Sequence, residues 1–352
     1  MESSDERMER MRSRVEMTRY AVDSPSSKTF PRTYSNYDDS WSLEKFREKF
    51  RIDIVSLTDT DIEFDMIGID ASVANAFRRI LLAEIPTMAI EKVFLLNNTS
   101  IVQDEVLAHR LGLIPILADP REFEFRTNID DETTYSGTES DTIEFHLKVK
   151  CLRNPRAPKG STHPNDLYLH SNVMSSDLKW VPLGNQLEKF GPNGIRPVHN
   201  DILIAKLRPG QEIDLRVHCV KGIGQDHAKF SPVGTASYRL LPEIVITRPI
   251  TGESADRFAR CFPDGVIAVD NVGGVKTARV ANPRLDTCSR EVLRYEDLAE
   301  CVKLLRVRDH FIFSVESTGV LPPDVLVAEA MKLLVAKCRH FLTECESRSA
   351  DL

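Results

Sequence analysis

The stretch Asn75-Ala-Phe-Arg-Arg-Ile-Leu-Leu-Ala-Glu-Ile-Pro86 constrains the fold of this chain more than any other. Val73, Phe77, Ile80 and Leu81 recur at i, i+4, i+7 and i+8, one apolar face of a short helix. Asp70 supplies an N-cap, and Pro86 stops the helix because proline disfavours helical geometry in the residue before it. Arg78 and Arg79 sit about 100° apart on such a helix, so at most one can lie along the apolar seam while the other reaches sideways. Two adjacent guanidiniums beside a buried face point to a protein partner. Upstream, apolar residues alternate as Phe50, Ile52 and Ile54, then as Ile62, Phe64 and Met66, across the polar turn Thr58 to Asp61. That is the pattern of a β-hairpin.

A β-rich middle follows. Ile143, Phe145, Leu147, Val149 and Cys151 alternate, and Ile202 to Leu207 leads through Arg208-Pro-Gly-Gln211 into Ile213, Leu215, Val217 and Cys219, which reads as a second hairpin. Thr127 to Thr142 and Asn154 to Asp166 are polar and rich in turn formers, hence surface loops. From about Gly252 to Arg308 the texture changes: an amphipathic piece around Phe258, a turn at Gly273-Gly274, and a helix expected near Tyr295 to Leu305. The last element is the longest helix, with Pro322 and Pro323 in its first turn and Asp324 complementing its N-terminal dipole. Val327, Met331, Leu334, Cys338, Phe341 and Cys345 are spaced 4, 3, 4, 3 and 4, a coiled-coil-like seam. A second row, Leu326, Ala330 and Leu333, widens its first half. The helix packs either on its own domain alone or on a partner as well.

With 352 residues, 41% apolar and 28% charged, the chain has the composition of a globular protein of two or three packed units. Its net charge of -7 argues against tight nucleic-acid binding in its own right. No apolar run approaches the roughly 18 residues a bilayer span needs, so no membrane association is expected. The acidic start, Met1 to Glu6, lacks the apolar core of a signal peptide, and residues 1–40 read as a flexible arm. Seven cysteines without a C-x-x-C pair fit free thiols in a reducing compartment.

Three separated blocks, in this order, resemble the α-like assembly subunits of multisubunit RNA polymerases, the family of the bacterial α N-terminal domain and the archaeal D subunit. They are the Asn-x-x-Arg-Arg helix of Asn75, the run Gly222-Ile-Gly-Gln-Asp-His-Ala-Lys-Phe-Ser-Pro232, and Phe311 to Pro323 leading into the last helix. The likeness covers about Trp41 to Phe341. It implies an α+β chain with a split dimerisation domain, 41–87 and 233–345, interrupted by a β-rich insert domain at 88–232 and followed by a tail, 346–352. It also implies a non-catalytic scaffold that heterodimerises with a smaller α-like subunit and seats the two large catalytic subunits. On this resemblance the subunit interface takes Asn75, Phe77, Arg78, Arg79, Leu81, Val327, Met331, Leu334, Cys338 and Phe341, with Arg78 and Arg79 open between sheet packing and polymerase contact.

Absences select the branch. RNA polymerase II relatives carry a four-cysteine zinc loop in the insert, whereas this chain has no cysteine before Cys151. The segment 252–308, with Cys261 and Cys288, resembles the ferredoxin-like insertion of archaeal relatives, yet a [4Fe-4S] cluster needs four thiolates at close spacing, so a cluster-free relic is expected and no cofactor. Both absences match the larger α-like subunit shared by eukaryotic RNA polymerases I and III. Val320-Leu-Pro-Pro-Asp-Val-Leu-Val327 and Asn282-Pro-Arg-Leu-Asp-Thr287 resemble its animal version, which implies residence in the nucleus and nucleolus and service in rRNA, tRNA and 5S rRNA transcription. The alternatives are the polymerase II type of the same scaffold and, in another class, an electron-transfer protein using the ferredoxin-like segment.

Other motifs favour bland readings. His109 sits at a helix end without a Cys or carboxylate motif beside it. Gly222-Ile-Gly224 lacks the third glycine and the Lys-Ser/Thr pair of a phosphate loop, so Lys221 and Lys229 are expected to decorate a surface loop, and Asp130 to Glu132 a solvated one.

Overall fold

The computed structural model describes residues 4–25, 40–126, 137–158 and 160–350. Asp130 to Glu132, expected in a solvated loop, and residues 26–39 of the expected arm lie outside them. The chain divides into two compact units, one of Met1–Ser56, Glu63–Ala76 and Ser237–Ser314, the other of Leu57–Ile62, Phe77–Ala236 and Val315–Leu352. Each is assembled from sequence-distant pieces, and the C-terminal helix groups with residues 77–236.

The expected first hairpin forms from strands Arg51–Leu57 and Asp61–Ile67, closed by the Thr58 amide donating to the Asp61 carbonyl at 2.8 Å. Only its second strand has a core face: Ile62, Phe64 and Met66 are buried, whereas Ile54 is 63% exposed at the sheet's edge. The sheet runs 22–23, 14–17, 302–317, 61–67, 51–57, with Val233–Ile246 also paired to Val302–Ser317. Phe64 stacks on Phe313 at 5.2 Å between centroids, and Tyr238 meets Phe311 edge-on at 5.4 Å.

Residues 4–23 are not a loose arm: Ser4–Ser13 is helical and Arg14–Met17 pairs antiparallel with Leu304 to Val307. Buried Arg308 holds this segment, its guanidinium donating to the Met11, Arg14 and Ser24 carbonyls. The helix expected over Tyr295 to Leu305 shrinks to Glu296–Ala299, because Val302 to Leu305 open the 16-residue strand Val302–Ser317. Within 252–308, helix Glu253–Arg260 and the hairpin Ile267–Val272/Val275–Val280 enclose a core around Phe258, Val266 and Val292. The hairpin turns on Gly273 and Gly274, at φ 61° and 85°, where only glycine is unstrained.

The same unit buries a charged group. Asp65 accepts from the Arg284 Nη1 at 2.8 Å and lies 2.8 Å from the His310 Nε2, while Arg284 also bonds Glu63. Burial alone raises the Asp65 carboxyl, but the hydrogen bonds from Arg284 and His310 outweigh it and hold it below its ordinary value.

The other unit centres on a four-stranded antiparallel sheet in the order 179–181, 143–150, 212–222, 87–98. Alternation is legible in it: Ile213, Leu215, Val217 and Cys219 face the core with Phe145 and Leu147. The second expected hairpin does not form. Leu203–Lys206 pairs instead with Asn172–Met174, and Glu212–Gly222 lies between Ile143–Lys150 and Thr87–Asn98. The turn at Gly210 carries the chain away, with its amide donating to the Cys151 carbonyl at 2.9 Å.

Candidate subunit interface

Helix Ala71–Ala83 starts where Asp70 predicts: the Asp70 side chain accepts from the Ser72 amide at 2.8 Å and its carbonyl from Val73 and Ala74. The apolar stripe is carried by Ala74, Phe77, Ile80 and Leu81, all buried, while Val73 in the first turn is 45% exposed. Phe77 and Leu81, at 2% and 0% exposure, are therefore core residues of the chain itself and present no surface to a partner, a correction to their expected place in the interface. Asn75 and Arg78 are half-buried, and Arg79 is exposed.

The helix end is locked to the glycine run downstream. The Gln225 amide donates to the Ala83 carbonyl at 2.9 Å, and a Cβ on Gly224 would stand 2.4 Å from the Leu82 carbonyl oxygen. A Cβ on Gly222 would meet the Phe230 ring at 2.6 Å, and the Thr87 hydroxyl donates to the Phe230 carbonyl at 2.7 Å. These glycines permit close packing against Phe230 and Leu82. Its lysines are not loop decoration either. Lys221 donates to the Phe123 carbonyl at 2.8 Å, and Lys229 to the Ile90 carbonyl at 2.9 Å while pairing with Glu91. Burial pushes the Lys221 ammonium below its usual value.

Helix Pro323–Ala350 is entered through a turn in which the Ser317 hydroxyl donates to the Leu321 carbonyl and accepts from the Gly319 amide. Its buried row is Leu326 and Ala330, both at 0% exposure. The expected seam is graded along the helix: Val327, Met331 and Leu334 are half-buried, Cys338 and Phe341 exposed. From Val335 onward every side chain described is exposed, Phe341 to 69% and Leu342 to 60%. Val335 and Leu342, seven residues apart beside the seam, belong to the same exposed apolar strip. Lys337 and Glu84 pair at 2.7 Å.

The thiols do not fit a cluster. Within 252–308 stand only Cys261, Cys288 and Cys301, one short of four. Cys261 and Cys301 instead donate at 3.3 Å to carbonyls four residues back, those of Arg257 and Asp297. Among the described residues no group of three or more His, Cys, Asp or Glu is arranged to hold a metal ion.

This frame is shared with known proteins. Residues 63–338 match the model of the RNA polymerase Rpb3/Rpb11 dimerisation domain. DNA-directed RNA polymerases I and III subunit RPAC1 of Homo sapiens is 60% identical, over 99% of this chain and 100% of the relative. The Saccharomyces cerevisiae protein of the same name is 50% identical, over 92% and 96%. DNA-directed RNA polymerase II subunit rpb3 of Dictyostelium discoideum is 30% identical, over 89% and 99%. The relatives named for polymerases I and III thus match it far better than the polymerase II relative, and the chain belongs to the RNA polymerase Rpb3/Rpb11 dimerisation-domain family, in its polymerase I and III branch.

Proposed function

We propose that this chain is the larger α-like assembly subunit of nuclear DNA-directed RNA polymerases I and III, working in nucleus and nucleolus without catalytic residues of its own. It pairs with a smaller α-like subunit, and the pair seats the two large catalytic subunits. The near full-length similarity to RPAC1 carries the reading, and the exposed apolar strip of the C-terminal helix supports it. A charged and apolar helix end with no cover among the described residues resembles half of an obligate interface. Val327, Met331, Leu334, Cys338 and Phe341, widened by Val335 and Leu342, form the pairing seam, and Arg79 with Asn75 and Arg78 reaches polymerase neighbours. The segment 252–308 is a ferredoxin-like insertion that keeps a packed core without its cluster.

Co-expression with the smaller α-like subunit tests the pairing. The wild-type chain is expected to co-purify as a stoichiometric heterodimer, and Phe341→Asp to lose its partner, because a carboxylate buried in an apolar seam is strongly unfavourable. Recovery of the pair at wild-type yield from Phe341→Asp would place the seam elsewhere.

A further inference from the structure

Away from the pairing helix, the insert region carries a cavity of about 680 Å³ whose lining comes wholly from residues 101–211. Its floor is carried by the half-buried Met174 and Leu203, which stand opposite each other in the two-stranded ribbon, over Leu207 in the core beneath. Ile101, 86% exposed, and Pro164 form its walls. Such an apolar residue at the lip of an apolar trough is poorly placed for a surface that stays solvated.

Its charge is one-sided. Lys206 and Arg208 line it, and no carboxylate does. Three other lysines of the same unit are matched: Lys148 with Asp214 at 2.5 Å, Lys150 with Glu212 at 3.3 Å, Lys189 with Glu122 at 2.8 Å. Lys206 and Arg208 have no such carboxylate among the described residues, and the Arg208 guanidinium rests over the Tyr168 ring at 5.4 Å, which holds it extended at the rim. In a chain of net charge -7, an unmatched cationic pair beside an apolar trough is a local inversion.

We propose that this trough docks a short acidic peptide segment of another protein, with leucine-like side chains on Met174 and Leu203 and carboxylates against Lys206 and Arg208. A single nucleic-acid strand fits less well, since His163 is the one aromatic ring among the described lining residues and two cations track little backbone. Opposite charge at the rim favours and orients encounter, while the floor supplies affinity.

The test is a fluorescence-anisotropy titration of the full-length chain with a labelled short peptide of alternating glutamate and leucine. Saturable binding is expected, weakened about tenfold by Lys206→Glu with Arg208→Glu and by a similar factor by Ile101→Asp. Lys206→Gln with Arg208→Gln should weaken it less, tracking the charge change, and all these positions are exposed enough to leave the melting temperature unchanged. A lysine-leucine peptide and oligothymidylate should bind about tenfold more weakly than the glutamate-leucine peptide. Absence of saturable binding, equal affinity for any variant set, or tighter binding of oligothymidylate overturns the proposal.

Discussion

Phe77 and Phe341 mark the two ends of the burial range on helices that sequence periodicity treats alike, at 2% and 69% exposure. Their aspartate variants should therefore fail differently. Phe77→Asp costs the isolated chain at least roughly 3 kcal/mol, read as a large fall in urea midpoint, because it puts a carboxylate into the core. Phe341→Asp stays within about 0.5 kcal/mol of wild type in the same measurement. Gly224→Ala, whose new methyl meets the Leu82 carbonyl, should cost about 1–3 kcal/mol, and a wild-type midpoint would refute the close-packing role of that glycine. Asp65 adds a pH signature. Its folded pKa lies below the unfolded 3.8, so its stabilisation is complete above that value and is lost as pH falls through the folded one. The stability gap between wild type and Asp65→Asn, followed by urea denaturation, should be widest near neutrality and close in acid; a gap that widens in acid contradicts the assignment.

At the scale of elements, the C-terminal helix joins a packed first half, anchored by Leu326 and Ala330, to an exposed second half. Hydrogen exchange should accordingly be slow before about Leu334 and fast from Cys338 in the isolated chain, with the fast amides protected on pairing. Unchanged exchange after pairing would remove this half-helix from the interface. Elements whose signals are local were legible in the sequence: the Asp70 cap, the Thr58 to Asp61 turn, the Gly273-Gly274 turn and the entry at Pro323. Signals that depend on a distant partner were not. Val302 to Leu305 is a short apolar run readable as helix or strand, and the pairing of Leu304 and Leu305 with Met17 and Glu16 favours the strand. Leu203–Lys206 and Glu212–Gly222 look like a hairpin across Pro209-Gly210, yet each finds a better-matched neighbour elsewhere. Lys221 and Lys229 looked solvated because their acceptors are backbone carbonyls about a hundred residues away or more, at Phe123 and Ile90.

For the whole molecule, the interface residues divide by what periodicity can report. It located the stripes, but angular position alone cannot say whether a stripe is covered by the chain itself, as at Phe77 and Leu81, or left open, as at Phe341 and Leu342. The composition, the family match over residues 63–338 and the open helix end are mutually consistent with a chain completed by its neighbours. The role proposed for it is that of a subunit common to polymerases I and III, and affinity purification of the tagged full-length chain from nuclei at high salt, read by mass spectrometry, tests it most directly. The expected result is one smaller α-like subunit together with the large subunits of both polymerase I and polymerase III; recovery of polymerase II subunits alone, or of a chain free of any polymerase, would contradict it.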